Sequence, residues 1–109
     1  MSGKDGRLAD YLEHISQAAL RIRTYMQTIQ KGNFIQNQLV QDAVIRNLEI
    51  IGEASRNILR DHSQFAAANP DLPLRSAYEM RNVLAHGYFE TDLDIVWQTI
   101  SVDIPVLKQ

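Results

Sequence analysis

The feature that most constrains how this chain can fold is a long run of apolar side chains separated alternately by three and four residues. Such spacing puts them on one face of a helix with 3.6 residues per turn. We therefore expect a long amphipathic helix over residues 8–29, ended by Gly32-Asn33. Its apolar positions are Leu8, Tyr11, Leu12, Ile15, Ala18, Ala19, Ile22, Tyr25, Met26 and Ile29.

A second stripe of the same kind follows. This helix is expected to begin between Gln36 and Gln38, with Asn33 or Asn37 as its cap. Gly52 lies inside it and costs roughly 1 kcal/mol relative to alanine. A close approach by another helix would explain that glycine, and an exposed glycine of no importance is the alternative. The apolar positions of the stripe are Val40, Ala43, Val44, Leu48, Ile51, Ala54, Ile58 and Leu59.

The next part of the chain predicts two shorter helices with a loop between them. The first covers residues 62–69. It ends at Asn69-Pro70, because the residue before a proline avoids the helical region. After a loop, Pro73 suits the first turn of another helix, which runs through Leu84.

The C-terminal part predicts one more helix and completes the fold. A break over 87–91 precedes apolar residues that continue from Leu93 to Ile100, and Pro105 should kink or end that helix. No β alternation of any length is present. The sequence predicts an all-α fold, an antiparallel four-helix up-and-down bundle with an extra short helix, as one domain over 1–109.

Composition narrows the classes of function. The chain has 109 residues with 45% hydrophobic and 22% charged side chains, which is typical of a globular domain. It has no run of membrane-spanning length, no signal-peptide core and no cysteine, so we expect a cytoplasmic protein without a membrane contact. The net charge of −2 counts against a general nucleic-acid binder, so any RNA contact should be local.

The chemistry is concentrated between Arg81 and Tyr88, which read Arg-Asn-Val-Leu-Ala-His-Gly-Tyr. The planar guanidinium of Arg81 matches two phosphate oxygens, and the imidazole of His86 can transfer a proton near neutral pH. Together they favour work on a phosphodiester. Five positions on a continuous helix rotate by about 140°. Either the helix breaks near Gly87 and turns His86 back, or two chains bring these groups together across a two-fold axis.

Simpler roles for these residues are also open. Arg81 could pair with an acid such as Glu79 or Glu90, and His86 could cap the C-terminus of a helix. The other two histidines, His14 and His62, show no metal-ligand spacing with His86, so no metal or other cofactor is expected. We expect His14 at the surface or boundary of its helix rather than in catalysis.

The pattern Arg-x4-His-x-Tyr, with Asn82 directly after the arginine, resembles the signature of the HepT-like HEPN-domain toxins of HEPN–MNT toxin–antitoxin pairs. The run from Asp42 to Ala54, with its Ile-Gly-Glu-Ala, resembles the second helix of that family. The resemblance covers nearly the whole chain and implies a HEPN-like bundle acting as a metal-independent endoribonuclease. In that activity the 2′-hydroxyl of RNA attacks the adjacent phosphate, with Arg81 stabilising the developing charge and His86 acting as general base or acid.

The resemblance also implies supporting residues and partners. Asn82 would orient a phosphate or fix the tautomer of His86, and Glu53 and Arg46 would lie near the cleft. Tyr88 would contact substrate and accept adenylate from a partner minimal nucleotidyltransferase, the antitoxin. A homodimer would form the RNA cleft at its interface. Two alternatives remain: an inactive HEPN domain that only binds the nucleotidyltransferase, or a small nucleotide-binding protein.

Overall fold

A computed structural model of the chain describes residues 3–86, with side chains described for residues 7–82. The described part is built from helices and contains no strand, which confirms the all-α prediction. None of its helices is long and apolar enough to cross a membrane. The break over 87–91 and the helix predicted from Leu93 lie outside the described residues. The five helices are α1 (Gly3–Tyr25), α2 (Lys31–Gln36), α3 (Gln38–Asp61), α4 (Ser63–Ala68) and α5 (Leu74–His86).

Helices α1 and α3 pack side by side in opposite directions. The ring of Tyr11 lies edge-on to that of His62 at 6.2 Å, and Arg21 Nη1 donates to Asn47 Oδ1 at 3.4 Å, so the start of α1 lies near the end of α3. Both predicted stripes supply the core, although Tyr25, at the end of α1, is exposed. The most buried members are Ile15, Ala18, Ala19, Ile22, Val44, Leu48, Ile51, Ala54 and Ile58.

The prediction that Gly32-Asn33 ends the first helix is wrong. Helix α1 stops at Tyr25, and Gly32 belongs to the separate helix α2. The aromatic ring of Phe34 explains the change, because it is fully buried and fixes α2 against the core. Gln41 then satisfies the end of α2, donating from Nε2 to the carbonyl oxygens of Phe34 at 2.9 Å and Ile35 at 2.7 Å.

The predicted start of α3 is confirmed. Asn37 is its N-cap, with a side-chain oxygen that accepts a hydrogen bond from the backbone nitrogen of Val40 at 3.0 Å. The loop before α5 is confirmed as well. Pro73 stands immediately before the first helical residue, and its carbonyl accepts from the backbone nitrogen of Ala77 at 3.0 Å.

Helix α5 packs against α3 at Gly52, which is buried. A Cβ placed on Gly52 would lie 2.8 Å from the carbonyl oxygen of Ala77 and 2.9 Å from Cγ of Arg81. These contacts are closer than side chains tolerate, so the predicted close approach of two helices is confirmed and the exposed-glycine alternative is wrong. Arg75 and Tyr78, which precede Arg81 on α5, lie beside Arg56, which follows Gly52 on α3. Helix α5 therefore runs antiparallel to α3.

Candidate active site

An open cleft of about 510 Å³ lies over α3, between α1 and α5. Helix α1 lines one side, α3 forms the floor, and the described side chains of α5 contribute one arginine. The polar side chains of the cleft include two arginines, two carboxylates, an imidazole and an amide. They are His14 from α1, Arg46, Glu49, Glu53 and Asn57 from α3, and Arg81 from α5, with Tyr11 at the edge.

Gly52 is the reason that Arg81 reaches this cleft. With no side chain at Gly52, the Cβ of Arg81 can rest directly against the backbone of α3. The guanidinium then meets Glu53, the next residue of α3, with Nε 3.4 Å from Oε1. The Arg81 side chain keeps 35% of its surface exposed, so it remains accessible from the cleft. One turn of α3 therefore provides both the space for Arg81 and its carboxylate partner.

Glu53 contacts a second arginine in the same region, since its Oε2 lies 3.7 Å from Nη1 of Arg56. Exposed pairs of this kind contribute less than about 1 kcal/mol to folding, so their main consequence here is orientation. The alternative in which Arg81 pairs with Glu79 is wrong, because its carboxylate partner among the described residues comes from α3. The other acid considered for that role, Glu90, lies outside the described residues.

Asn82 fixes the other side of the guanidinium. Its Oδ1 accepts a hydrogen bond from Nη1 of Arg81 at 3.3 Å. A hydrogen bond with Asn82 also lowers the pKa of the Tyr78 hydroxyl below its usual value, and the charges of Arg56 and Arg81 act in the same direction. Asn82 thus connects Arg81 to Tyr78, one turn earlier on α5. Its expected contacts with a phosphate or with His86 stay predictions.

The structure brings together most of the residues that the sequence singled out. Arg46, Glu53 and Arg81 line one cleft, and Asn82 contacts Arg81. The side chain of His86 and all of Tyr88 lie outside the described part. Helix α5 is continuous from Arg81 to His86, so these two positions are about 140° apart around its axis.

Sequence reasoning missed several residues that line the cleft, and three of them are polar side chains that could act on a ligand. His14 is exposed, as expected, yet it lies in the same cleft as Arg81, and Glu49 and Asn57 join it there. In the sequence, Glu49 lies three residues after Arg46 and four before Glu53, a spacing that puts the three on one face of a helix and that is equally typical of a solvated charged face. The signal that places these residues together is the packing of α1 beside α3, which periodicity predicts without fixing the rotation of either helix.

Comparison with known proteins identifies the class of protein that this fold and cleft represent. The chain belongs to the HepT-like ribonuclease family, whose model, described as ribonuclease HepT-like, matches residues 15–109. A "Probable ribonuclease HepT" of Thermococcus cleftensis is 43% identical over 99 residues, covering 91% of this chain and 87% of that protein. No solved structure matches the chain.

Two further relatives come from other organisms. A "Putative RNase" of Methanocaldococcus jannaschii is 36% identical over 99 residues, covering 91% of this chain and 88% of the relative. A "Putative RNase" of Caldanaerobacter subterraneus is 33% identical over 99 residues, covering 91% and 86%. Similarity to proteins with these names therefore extends over most of both chains.

Proposed function

We propose that this protein is an endoribonuclease that cleaves RNA in the cleft containing Arg81, without a metal ion. The observation that carries the proposal is the state of the Arg81 guanidinium, which is accessible from the cleft and held by Glu53 on one side and Asn82 on the other. Catalytic groups stabilise developing charge best when they are already oriented. Membership of the HepT-like ribonuclease family and the names of the relatives support the same activity.

The proposed reaction needs a cation and two proton transfers. The 2′-oxygen loses its proton and bonds to the adjacent phosphorus, while the 5′-oxygen leaves that phosphorus and gains a proton. Negative charge grows on the non-bridging phosphoryl oxygens, where a fixed guanidinium lowers the barrier most. Arg81 supplies that cation. His86 removes one proton or donates the other, since an imidazole changes protonation readily near neutral pH.

A homodimer would supply both proton-transfer groups. The motif offers one histidine per chain, and helix α5 separates Arg81 from His86 by about 140° around its axis. A second copy would bring its own His86 to the cleft. Mixing chains that carry Arg81→Ala with chains that carry His86→Ala tests this arrangement. Mixed dimers should recover part of the cleavage that neither variant shows alone, and a strictly monomeric protein that cleaves RNA would refute it.

The catalytic proposal is tested with purified protein and a single-stranded RNA. Wild-type protein should cleave it, and Arg81→Ala and His86→Ala should each slow cleavage at least about a hundredfold with unchanged helical content. A chelator should have no effect. Among the described side chains, no three potential ligands lie together to hold a metal. Loss of cleavage on chelation, or wild-type activity of His86→Ala, would contradict the mechanism.

The two alternatives give different outcomes in the same experiment. Wild-type protein that forms a complex with a nucleotidyltransferase but cleaves no RNA would be an inactive HEPN domain. Wild-type protein that binds free nucleotides but neither binds nor cleaves RNA would be a nucleotide-binding protein. The accessible arginine in the cleft suits the phosphate of an RNA or of a free nucleotide. Direct titration with nucleotides is therefore needed beside the cleavage assay.

We further propose that the protein is the toxin of a toxin–antitoxin pair and that a minimal nucleotidyltransferase inactivates it by adenylylating Tyr88. Each adenylate would bring a negative charge and a bulky base close to the motif, and these would compete with RNA for Arg81. Co-expression should add adenylate-sized mass to the peptide containing Tyr88. Tyr88→Phe should prevent the addition and Tyr78→Phe should not. Modification of Tyr78 instead would refute the assignment.

A further inference from the structure

The two arginines of the cleft are in different states. The guanidinium of Arg81 pairs with Glu53. Arg46 lines the same cleft and is exposed, yet it takes no part in the ion pairs and hydrogen bonds formed among the described residues. Two acids are close to it in sequence. Asp42, four residues earlier, accepts from Gln38 Nε2 at 3.0 Å, and Glu49, three residues later, forms no ion pair with it. Arg46 is therefore available to an anion.

Arg46 lies at a different level of the cleft from Arg81. Arg81 is opposite Gly52, and its guanidinium contacts Glu53, seven residues or about 10 Å along α3 from Arg46. Helix α5 continues antiparallel to α3 for five more residues, about 7.5 Å, to His86. The backbone of His86 is thus about level with residue 47 of α3, one residue from the level of Arg46. The cleft has one cation at each level.

We propose that Arg46 binds the RNA phosphate next to the one that Arg81 stabilises. The separation of about 10 Å along α3 exceeds the width of one phosphate group, and Glu53 holds the Arg81 guanidinium at its own level. A single strand that passes from Arg81 toward His86 meets Arg46 with its neighbouring phosphate. Glu49 and Glu53 offset these two charges, so attraction stays local to the cleft.

This inference rests on the proposed RNA cleavage and extends it to a second phosphate site. The experiment uses the full chain with two substrates, a dinucleotide that has one phosphodiester and an oligonucleotide that has several. Arg46→Gln should raise KM for the oligonucleotide about tenfold and leave kcat within about twofold, because one charged contact to a distant phosphate is lost. Its KM for the dinucleotide should not change. Arg46→Lys should restore part of the oligonucleotide affinity.

Arg23→Gln is the matched control. Arg23 is exposed on α1, nine positions after His14, which puts it about half a turn away from the cleft side of that helix. The substitution Arg23→Gln removes the same charge as Arg46→Gln, and it should leave KM for both substrates near the wild-type value. If Arg46→Gln affects the dinucleotide as strongly as the oligonucleotide, or affects neither more than Arg23→Gln does, the second site does not exist.

A binding measurement separates this inference from the catalytic proposal. Anisotropy of a labelled RNA hexanucleotide should show Arg46→Gln binding about tenfold more weakly, with a salt dependence shallower by about 0.7 in log–log slope. A wild-type protein that shows this dependence on Arg46 without cleaving RNA would retain the phosphate site and overturn only the catalysis. A wild-type protein that does not bind the RNA would overturn both.

Discussion

The two long contacts of α3 have opposite characters. Against α1, it presents mainly apolar core side chains such as Val44 and Ile58, which lie fully buried, although Asn47 also accepts a hydrogen bond from Arg21. Against α5, it presents a glycine, and the arriving side chain is an arginine. We call these the apolar seam and the glycine seam. The apolar seam removes hydrocarbon from water, which contributes most of the stability of a domain. The glycine seam brings backbones close together so that a charge can be placed at the edge of a cleft.

The difference teaches which positions can vary independently. The apolar seam tolerates changes that keep volume and hydrophobicity, because its contribution to stability is the sum of many weak contacts. The glycine seam has no such reserve, since one added carbon collides with a backbone oxygen of Ala77 and with Arg81. We therefore expect changes in the apolar seam to lower stability first and changes in the glycine seam to lower activity first.

Among these variants, Gly52→Ala should have the largest effect on kcat. Alanine is the better helix former by roughly 1 kcal/mol, but its Cβ would force α5 away from α3. We expect a net destabilisation of about 1–3 kcal/mol, as for other overpacked sites. Displacing Arg81 by even an ångström should lower kcat about a hundredfold. Urea unfolding and kcat per folded molecule, measured on the same sample, report the two effects separately.

Ile51→Ala is the matched variant in the apolar seam. Ile51 precedes Gly52, is 1% exposed, and its loss should cost about 2–5 kcal/mol. Molecules that remain folded should keep wild-type kcat, because Ile51 is buried in the core and is not one of the residues that line the cleft. The distinction between the seams would collapse if Gly52→Ala cleaved RNA normally, or if Ile51→Ala lost kcat in proportion to Gly52→Ala.

The two carboxylates of the cleft, Glu53 and Glu49, should differ in their effect on kcat, and this effect is smaller than that of Gly52→Ala. Glu53→Gln keeps the size of the side chain but removes the charge that pairs with Arg81 at 3.4 Å. We expect kcat to fall about tenfold as Arg81 loses orientation, with less than about 1 kcal/mol lost in stability. Steady-state kinetics and thermal unfolding are the measurements.

Glu49→Gln removes the same charge from the same cleft, but Glu49 has no ion pair among the described residues. It should therefore leave kcat unchanged and lower KM for RNA about two- to threefold, because one repulsion of the phosphates is gone. Equal effects of the two substitutions on kcat would mean that the Glu53–Arg81 pair does not orient the guanidinium.

The sequence was sufficient for the apolar seam and only partly so for the glycine seam. Apolar periodicity predicts α1 and α3 because each helix records its buried face locally. Gly52 predicted the close approach of two helices. The carboxylate partner of Arg81 could not be predicted from residues near it in sequence, which suggested Glu79 or Glu90. The partner, Glu53, is distant in sequence and meets Arg81 only because two helices cross at Gly52.

The cleft shows the same limit. Two candidates, Arg46 and Glu53, were placed near it by resemblance, whereas His14 was known only as a surface or boundary residue. A helical stripe fixes which side chains are buried but not how far each helix is rotated beside its neighbour. Gly32 also misled, because burial of Phe34, a tertiary effect, outweighed the local preference of glycine for a helix end.

The smallest expected effect calibrates the comparison, because it acts on α3 without touching either seam. Asn37→Ala removes the side-chain oxygen that caps the backbone nitrogen of Val40 at 3.0 Å. Loss of an N-cap of this kind costs about 1 kcal/mol. Fraying of α3 would begin in its first turn, and eight residues from Gln38 onward precede Arg46. Packing of α3 against its neighbouring helices should stop the fraying before it reaches Arg46. Both seams hold it, so kcat and KM should stay at wild-type values while the urea midpoint falls. Asn37→Asp, which keeps a capping oxygen, should restore the midpoint.

The opposite outcome would be a loss of cleavage in Asn37→Ala that Asn37→Asp repairs. It would show that the cleft depends on the first turn of α3, and stability and activity would then not be separable at this end of the helix.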